Sequence, residues 1–393
     1  MKKILSWLLI LCLLLPGLAL GEEEEEEILL DDLLEEVPSE GRAESEDGDY
    51  IIDEETGETF LLTETEQEHL DTLLEENPEE DDGIDPDSLD LNPNLPDNVL
   101  NILLIGVDTR SDDPQEIVGR GDTQIIVSIN RDTGAISMAS ILRDSLVSIP
   151  GYRNKTKINS AFMYGCNKIK NDNIPGKVRS GAALAMRTVN KNFQMNIENY
   201  VAINFNGLAS IIDALGGIDI ELTKAEAKYI NSYLKKHPPA YDNKAKGERV
   251  PLEAVAGVHH LDGVQAVMYA RTRSLKGEND FNRTDRQRNL LDLLLKKVLS
   301  DLDITTLMDL IDTAVTYADT NLNFQTLFEL ARSLLPVLME ADSSASLFEQ
   351  MRIPMDKSYS YDTYNGASVV RYNMTKHATA LHEFIYGAYY PAK

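Results

Sequence analysis

Between Glu22 and Asp97 the chain carries 33 acidic residues against a single basic one, Arg42. Few aromatics accompany them, and prolines recur among runs such as EEEEEE and EENPEEDDG. Such a stretch cannot bury enough apolar surface to offset the entropy of ordering it, so the sequence predicts a disordered acidic linker over 22–97. Two short islands, Ile28 to Leu34 and Phe60 to Leu74, have the spacing of transient amphipathic helices. As a flexible chain this linker reaches roughly 50 Å, and further with its self-repulsion, which suits either a tether or a plain solvating spacer. The net charge of −29 therefore belongs to one segment, and residues 98–393 sum to +1. A nearly neutral folded part without a basic stripe is no nucleic-acid binder, and none is expected as a partner.

Ahead of the acidic stretch, MKKILSWLLILCLLLPGLALG has two lysines, an apolar run and a small-residue end. Residues 1–21 thus read as a signal peptide, or as an uncleaved signal anchor at the lower edge of a membrane span. Either reading exports the remainder, so an extracytoplasmic location follows, secreted or membrane-anchored. Cys12 lies in this leader, and Cys166 is the remaining cysteine. No intrachain disulfide can form past the leader, and Cys166 reads as a small buried residue.

From Val99 the texture changes. VLNILLIGVD, GDTQIIVSIN and AISMASIL read as three buried strands, with Asp108, Asp122 and Arg143 at their ends. Beyond them, KINSAFMYG and Val178 to Phe193 read as helices, Glu198 to Phe205 as a strand, and NGLASIIDALGG as a helix closed by Gly216-Gly217. IDIEL is another strand and Thr223 to Lys236 another helix, followed by a polar loop from Pro238 to Glu253. The adjacent His259 and His260 read as a structural loop, and Asp262 as the N-cap of a helix that delivers Arg271. Amphipathic segments over 304–318 and 324–340, strands at SLFEQMRIPM and ASVVRYN, and a closing helix over Thr375 to Gly387 complete the chain. Strands alternating with helices over this length predict one large α/β domain, with residues 98–393 as its span. Charged residues grouped at strand ends are how open α/β sheets build sites.

The densest cation cluster is YARTRSLKGENDFNRTDRQ, with Arg271, Arg273, Arg283 and Arg286 within sixteen residues. With Asn282 as N-cap, Arg283, Arg286 and Gln287 fall at i, i+3 and i+4 on the first turn of a helix. Cations there oppose the helix dipole, and a bound anion reconciles the arrangement; a solvated basic face is the alternative.

Seven stretches, in order, resemble the LytR-CpsA-Psr family of cell-wall glycopolymer transferases: NILLIGVDTR, GRGDT, SILRDSLVSIPG, KINSAFMYG, FNGLASIIDALGGIDIEL, LDGVQAVMYARTR and DFNRTDRQRN. They lie within residues 101–302, with 303–393 as an extension of helices and strands. The resemblance implies an α/β/α sandwich with a central mixed sheet. It also implies an activity, transfer of a glycopolymer from a polyprenyl-pyrophosphate carrier onto peptidoglycan at the membrane surface, as in attachment of teichoic acid or capsular polysaccharide. Residue by residue, it makes Asp108 and Asp122 the acids associated with Mg2+ (or Mn2+). Arg143, Arg271, Arg273, Arg283 and Gln287 become the pyrophosphate cluster, with Lys157 and Arg286 inside motifs of the same site. Leu142 stands where the family usually has proline and Gly121 where it usually has serine. The physical reading agrees: pyrophosphate oxygens bind guanidinium forks and a hard divalent cation, and attack at phosphorus needs pre-placed positive charge more than covalent help. Asp144 is a possible base for the attacking hydroxyl. Two other classes stay open, a hydrolase of lipid-linked pyrophosphate and a non-catalytic binder of anionic wall polymers.

Overall fold

The computed structural model describes residues 51–52, 59–60, 84–109, 116–171, 173–236, 250–272, 275, 280–301, 317–322 and 349–392. The leader, most of the linker, and the expected segments over 304–318 and 324–340 lie outside the described residues, apart from Tyr317 and Ala318.

Three consecutive strands, β1 (Val99–Asp108), β2 (Arg120–Asn130) and β3 (Ile136–Ile141), form an antiparallel meander. A short pair follows, β4 (Leu146–Val147) with β5 (Thr156–Lys157). The chain then crosses through α1 (Ser160–Cys166) and α2 (Ile174–Phe193) to β6 (Asn199–Asn204), which lies parallel to β1. Helix α3 (Phe205–Ala214), strand β7 (Ile218–Leu222), α4 (Lys224–Lys236), β8 (Gly257–Leu261), α5 (Gly263–Arg271) and α6 (Asp280–Asp301) come next. Strands β9 (Ala318–Thr320) and β10 (Glu349–Ile353) complete a six-stranded mixed sheet of order β9-β6-β1-β2-β3-β10. A hairpin, β11 (Tyr359–Tyr364) with β12 (Ala367–Tyr372), precedes the last helix α7 (Met374–Tyr386).

Both faces of this sheet are apolar because successive strand residues point to opposite sides. Leu103, Ile105 and Val107 of β1 pack with Phe162 of α1 and with α2 and Leu381 of α7. Leu100 and Ile102 face the other way, toward α3, α5 and α6. Helices on both faces of a mixed sheet make the α/β/α sandwich. Caps fix where several helices begin: Asn173 Oδ1 accepts from Gly176 N at 3.0 Å, Asn204 Oδ1 from Gly207 N at 2.8 Å, and Asn373 Oδ1 from Lys376 N at 3.0 Å. Asp262 and Gln265 form a reciprocal capping box at the start of α5, so Asp262 is the N-cap expected.

Three expectations change. The folded unit begins before residue 98, because a 3-10 turn, Pro86–Leu89, packs onto α2 with Leu89 fully buried beside buried Ile84 and Leu95. Asn92 Nδ2 donates to Gln194 O and Tyr390 O, both at 2.8 Å, tying this segment to the end of α2 and to the residues that follow α7. Further upstream, Ile51–Ile52 pairs antiparallel with Thr59–Phe60. His259 and His260 lie on β8, not in a loop, paired with Ile220 and Asp219. Helix α6 starts at Asp280, so Asn282 sits inside its first turn and not at its cap.

Candidate active site

β1 and β2 are in register up to Gly106 and Thr123, then shift so that Val107 faces Gly121. Asp122 is the residue left over in this bulge, a device that re-aims one side chain and bends the strand. Its carboxylate is 7 % exposed and fully engaged: Arg143 Nη1 donates to Oδ2 at 2.5 Å and Asn159 Nδ2 to Oδ1 at 2.8 Å. Burial pushes the Asp122 carboxyl up, but the charge of Arg143, the amide of Asn159, the Arg143 hydrogen bond and the charge of Arg283 together hold it below the ordinary aspartate value. Arg143 lies just past β3, and its neighbour Asp144 pairs with Lys157 Nζ at 2.8 Å. Asp108 closes β1, more exposed than Asp122, with Arg271 Nη2 at 3.8 Å. Arg271, the last residue of α5, rests its guanidinium 4.2 Å over the ring of Phe205, the first residue of α3.

Asp108, Asp122, Arg143, Lys157, Arg271 and Arg283 thus gather at one end of the sheet. Arg273 lies outside the described residues. Arg286 is a correction. It is buried with Glu226 of α4, whose Oε1 accepts from Nε at 2.8 Å, and its Nη1 donates to Thr272 O at 3.3 Å. Its fork is used to join α6 to α4 and the end of α5, where a buried cation needs a paired acid. Glu226 Oε2 also accepts from the backbone and hydroxyl of Thr223, at 2.8 and 2.7 Å. Burial raises the Glu226 carboxyl, yet the Thr223 donors and Arg286 hold it below its usual value.

Both depressed carboxyls have a consequence for acid stability. Each contributes stability that is present above its unfolded pKa, about 4, and lost as pH falls through the lower folded value. Melting temperature should therefore fall as pH drops from about 5 toward 3. In Glu226→Gln the melting point at neutral pH should be lower and the acid limb shallower; an unchanged limb would remove Glu226 from the acid response.

Beside the cluster a cavity of about 200 Å³ opens between the sheet and helices α3 and α6. Its walls are apolar, among them Ile125, Val127, Met138, Ile211, Leu290 and Leu294. Among the described residues its polar lining is Thr123, Asn204 and Gln287. Thr123 adjoins Asp122, and Phe205 lies in the wall beneath Arg271, so the charged cluster stands at the cavity's mouth. Gln287 is the member of the expected cluster that lines the cavity itself. Three contributors were not singled out from the sequence: Asn159, Phe205 and Glu226. The first two stand inside the quoted motifs KINSAFMYG and FNGLASIIDALGG, which was the available signal. Cys166 is buried as expected, its thiol pushed up to about 12 by burial, which makes it inert.

The fold is thus an α/β/α sandwich whose strand ends bring arginines and aspartates to the edge of an apolar cavity. The chain belongs to the LytR_cpsA_psr family, whose model matches residues 59–380. Among curated relatives, the polyisoprenyl-teichoic acid–peptidoglycan teichoic acid transferase TagU of Enterococcus faecalis is 29% identical over 231 residues, 59% of this chain and 64% of that protein. The TagU of Oceanobacillus iheyensis is 32% identical over 230 residues, 58% of this chain and 61% of that protein. The matched region thus spans a little under two thirds of these relatives' length. The crystal structure of B. subtilis TagV shares the fold, with a TM-score of 0.51 and 23% identity over 76% of this chain and 100% of that one.

Proposed function

We propose that the protein is an extracytoplasmic phosphotransferase that moves a glycopolymer, teichoic acid in its TagU relatives' names, from a polyprenyl-pyrophosphate carrier onto peptidoglycan. One observation carries this: the arginine–aspartate cluster lies at the mouth of an almost wholly apolar cavity. A hydrocarbon chain gains free energy by entering such a cavity, at roughly 25 cal/mol per Å² of apolar surface removed from water, while a pyrophosphate at its end remains among cations. Arg143, Arg271 and Arg283 would hold the pyrophosphate oxygens, with Gln287 at the boundary between head group and lipid. Arg273 belongs to the same cluster by its motif.

The two aspartates divide the work. Both oxygens of Asp122 already accept hydrogen bonds, so its first role is to orient Arg143. Asp108 is the carboxylate better placed for a divalent cation. Among the described residues no three acidic, histidine or cysteine side chains converge to hold a metal. One or two carboxylates, Asp108 with Asp122 beside it, would suit Mg2+, which completes its shell with phosphate oxygens and water. When bound, such a cation would neutralise charge on the transferring phosphoryl group.

No described helix is long and apolar enough to cross a membrane. Attachment to the membrane surface would rest on the leader, on residues 1–21, and on the lipid of the substrate.

The decisive experiment supplies lipid-pyrophosphate-linked glycan with and without peptidoglycan and identifies the products by mass spectrometry. Glycan covalently joined to peptidoglycan is expected. Free phosphorylated glycan at the same rate in both reactions would instead make the protein a hydrolase, and an unchanged substrate would make it a binder. In Asp108→Ala, stimulation by Mg2+ should disappear while thermal stability changes little, since the residue is exposed and its loss is worth about 0.5 kcal/mol or less. Retained Mg2+ stimulation would take Asp108 out of the metal site.

A further inference from the structure

A second concavity, of about 400 Å³, is lined by the segment that leads into Lys157, from Tyr152 to Thr156. Its volume is within the roughly 300–1,000 Å³ range of small-molecule sites. One wall is the loop Tyr152 to Thr156 and the other is the tip of the β11–β12 hairpin, with Tyr364 and Asn365. Tyr152 stacks on Tyr164 of α1, with ring centroids 4.7 Å apart and planes 28° from parallel. Tyr152 keeps 39 % of its surface exposed despite this stack. Arg153 and Lys155 also line the groove; among the described residues no acid lines it, and neither cation forms an ion pair with one.

The walls are held in place. Asn365 and Gly366 both have positive φ, 49° and 79°, as a two-residue type I′ turn requires, and this fixes the hairpin tip. Val370 of the hairpin donates its N–H to Asp144 O at 2.8 Å, which anchors it to the segment that carries Arg143 and Asp144. On the opposite wall, Lys155 is two residues from Lys157, hence within about 7 Å between Cα atoms. Lys157 in turn binds Asp144 at 2.8 Å. The groove and the charged cluster therefore share their framework.

We infer that this groove is a saccharide subsite that holds an anionic glycan next to the reacting phosphate. The flat apolar face of a sugar ring matches the ring of an exposed tyrosine. Its hydroxyls match the amides of Asn154 and Asn365, and a carboxylate or phosphate on the glycan matches Arg153 and Lys155. The inference deepens the transferase reading and rests on it for the placement of the glycan. Two sources carry this chemistry: the peptidoglycan strand that accepts, and the wall polymer that is transferred.

The test measures direct binding of lipid-free teichoic acid and of soluble peptidoglycan glycan strands to the full chain, without turnover. Tyr152→Ala, and separately the pair Arg153→Ala with Lys155→Ala, should weaken binding of one polymer by about three- to tenfold. The charge pair should also flatten the salt dependence of that binding, whereas Tyr152→Ala should leave it unchanged. An effect confined to glycan strands makes the groove the acceptor site, and one confined to teichoic acid makes it the donor site. Wild-type affinity for both polymers in both variants overturns the inference. Because binding is read apart from chemistry, failed transfer with intact, variant-sensitive binding would count against the transferase reading and not against the groove.

Discussion

A chain beginning at Asn98 should be unable to maintain the fold that a chain beginning at Gly83 retains. Ile84 and Leu89 each bury an aliphatic side chain against α2 and its surroundings, and Leu95 is buried as well. Full burial of such a side chain is worth about 1.5–3 kcal/mol, so the three together contribute about 5–9 kcal/mol. The net stability of a domain is only about 5–15 kcal/mol. Truncation would also strip Asn190, buried inside α2, of the Leu89 carbonyl that accepts from its Nδ2 at 3.0 Å. It would remove Asn92, whose amide joins Gln194 O, at the end of α2, to Tyr390 O. The exposed pair of Asp90 with Arg187 adds little by comparison. Denaturant midpoints of the two chains check this directly. Midpoints that coincide would show the segment to be an ornament on an already stable domain. Removal of the acidic residues before Gly83, by contrast, should leave the midpoint of the folded domain nearly where it was.

That segment escaped the sequence reading because three apolar residues are diluted among acids, and composition averages over the context that buries them. The central strands had no such problem. VLNILLIGVD is apolar at almost every position, which only a strand covered on both faces requires, and the structure covers it on both faces. Asp262 was legible for a similar reason, since a cap acts on backbone three residues away. Arg286 was not. Its spacing from Arg283 and Gln287 placed all three on one helical face, but the acid that claims it, Glu226, is 60 residues distant. Local periodicity carries no information about that partner. The β11 strand was missed because YSYDTY lies largely exposed and has no apolar face to announce it. The cavity was hidden for a different reason: it is the space that large side chains fail to fill, and packing volumes are not a property of any one segment.

The arginines should separate into two kinds when charge and stability are measured side by side. Glu226→Ala leaves the Arg286 guanidinium buried without its acid and removes the acceptor that caps α4 through Thr223, so a loss of about 3–5 kcal/mol is expected. Turnover per folded molecule should stay close to wild type, because that pair faces α4 and not the cavity mouth. Replacing both partners, as Glu226→Gln with Arg286→Met, should cost less than the sum of the singles, since neither charge is then stranded. Arg143→Lys should do the reverse. A lysine keeps a cation beside Asp122, so the melting point moves little, but it cannot present a planar fork to a phosphate. One lost charge-assisted contact is worth about 1.5–3 kcal/mol, or roughly ten- to a hundredfold in affinity and turnover. Arg271→Lys should behave in the same way, and the double variant should fall short of additivity if both arginines act on one pyrophosphate. Unfolding midpoints and transfer rates on the same preparations decide the matter. If Arg286→Met lowered transfer per folded molecule as far as Arg143→Lys does, Arg286 would belong to the substrate site after all. If lysine served as well as arginine at 143 and 271, the cluster would be a diffuse basic surface and not a shaped receptor for pyrophosphate.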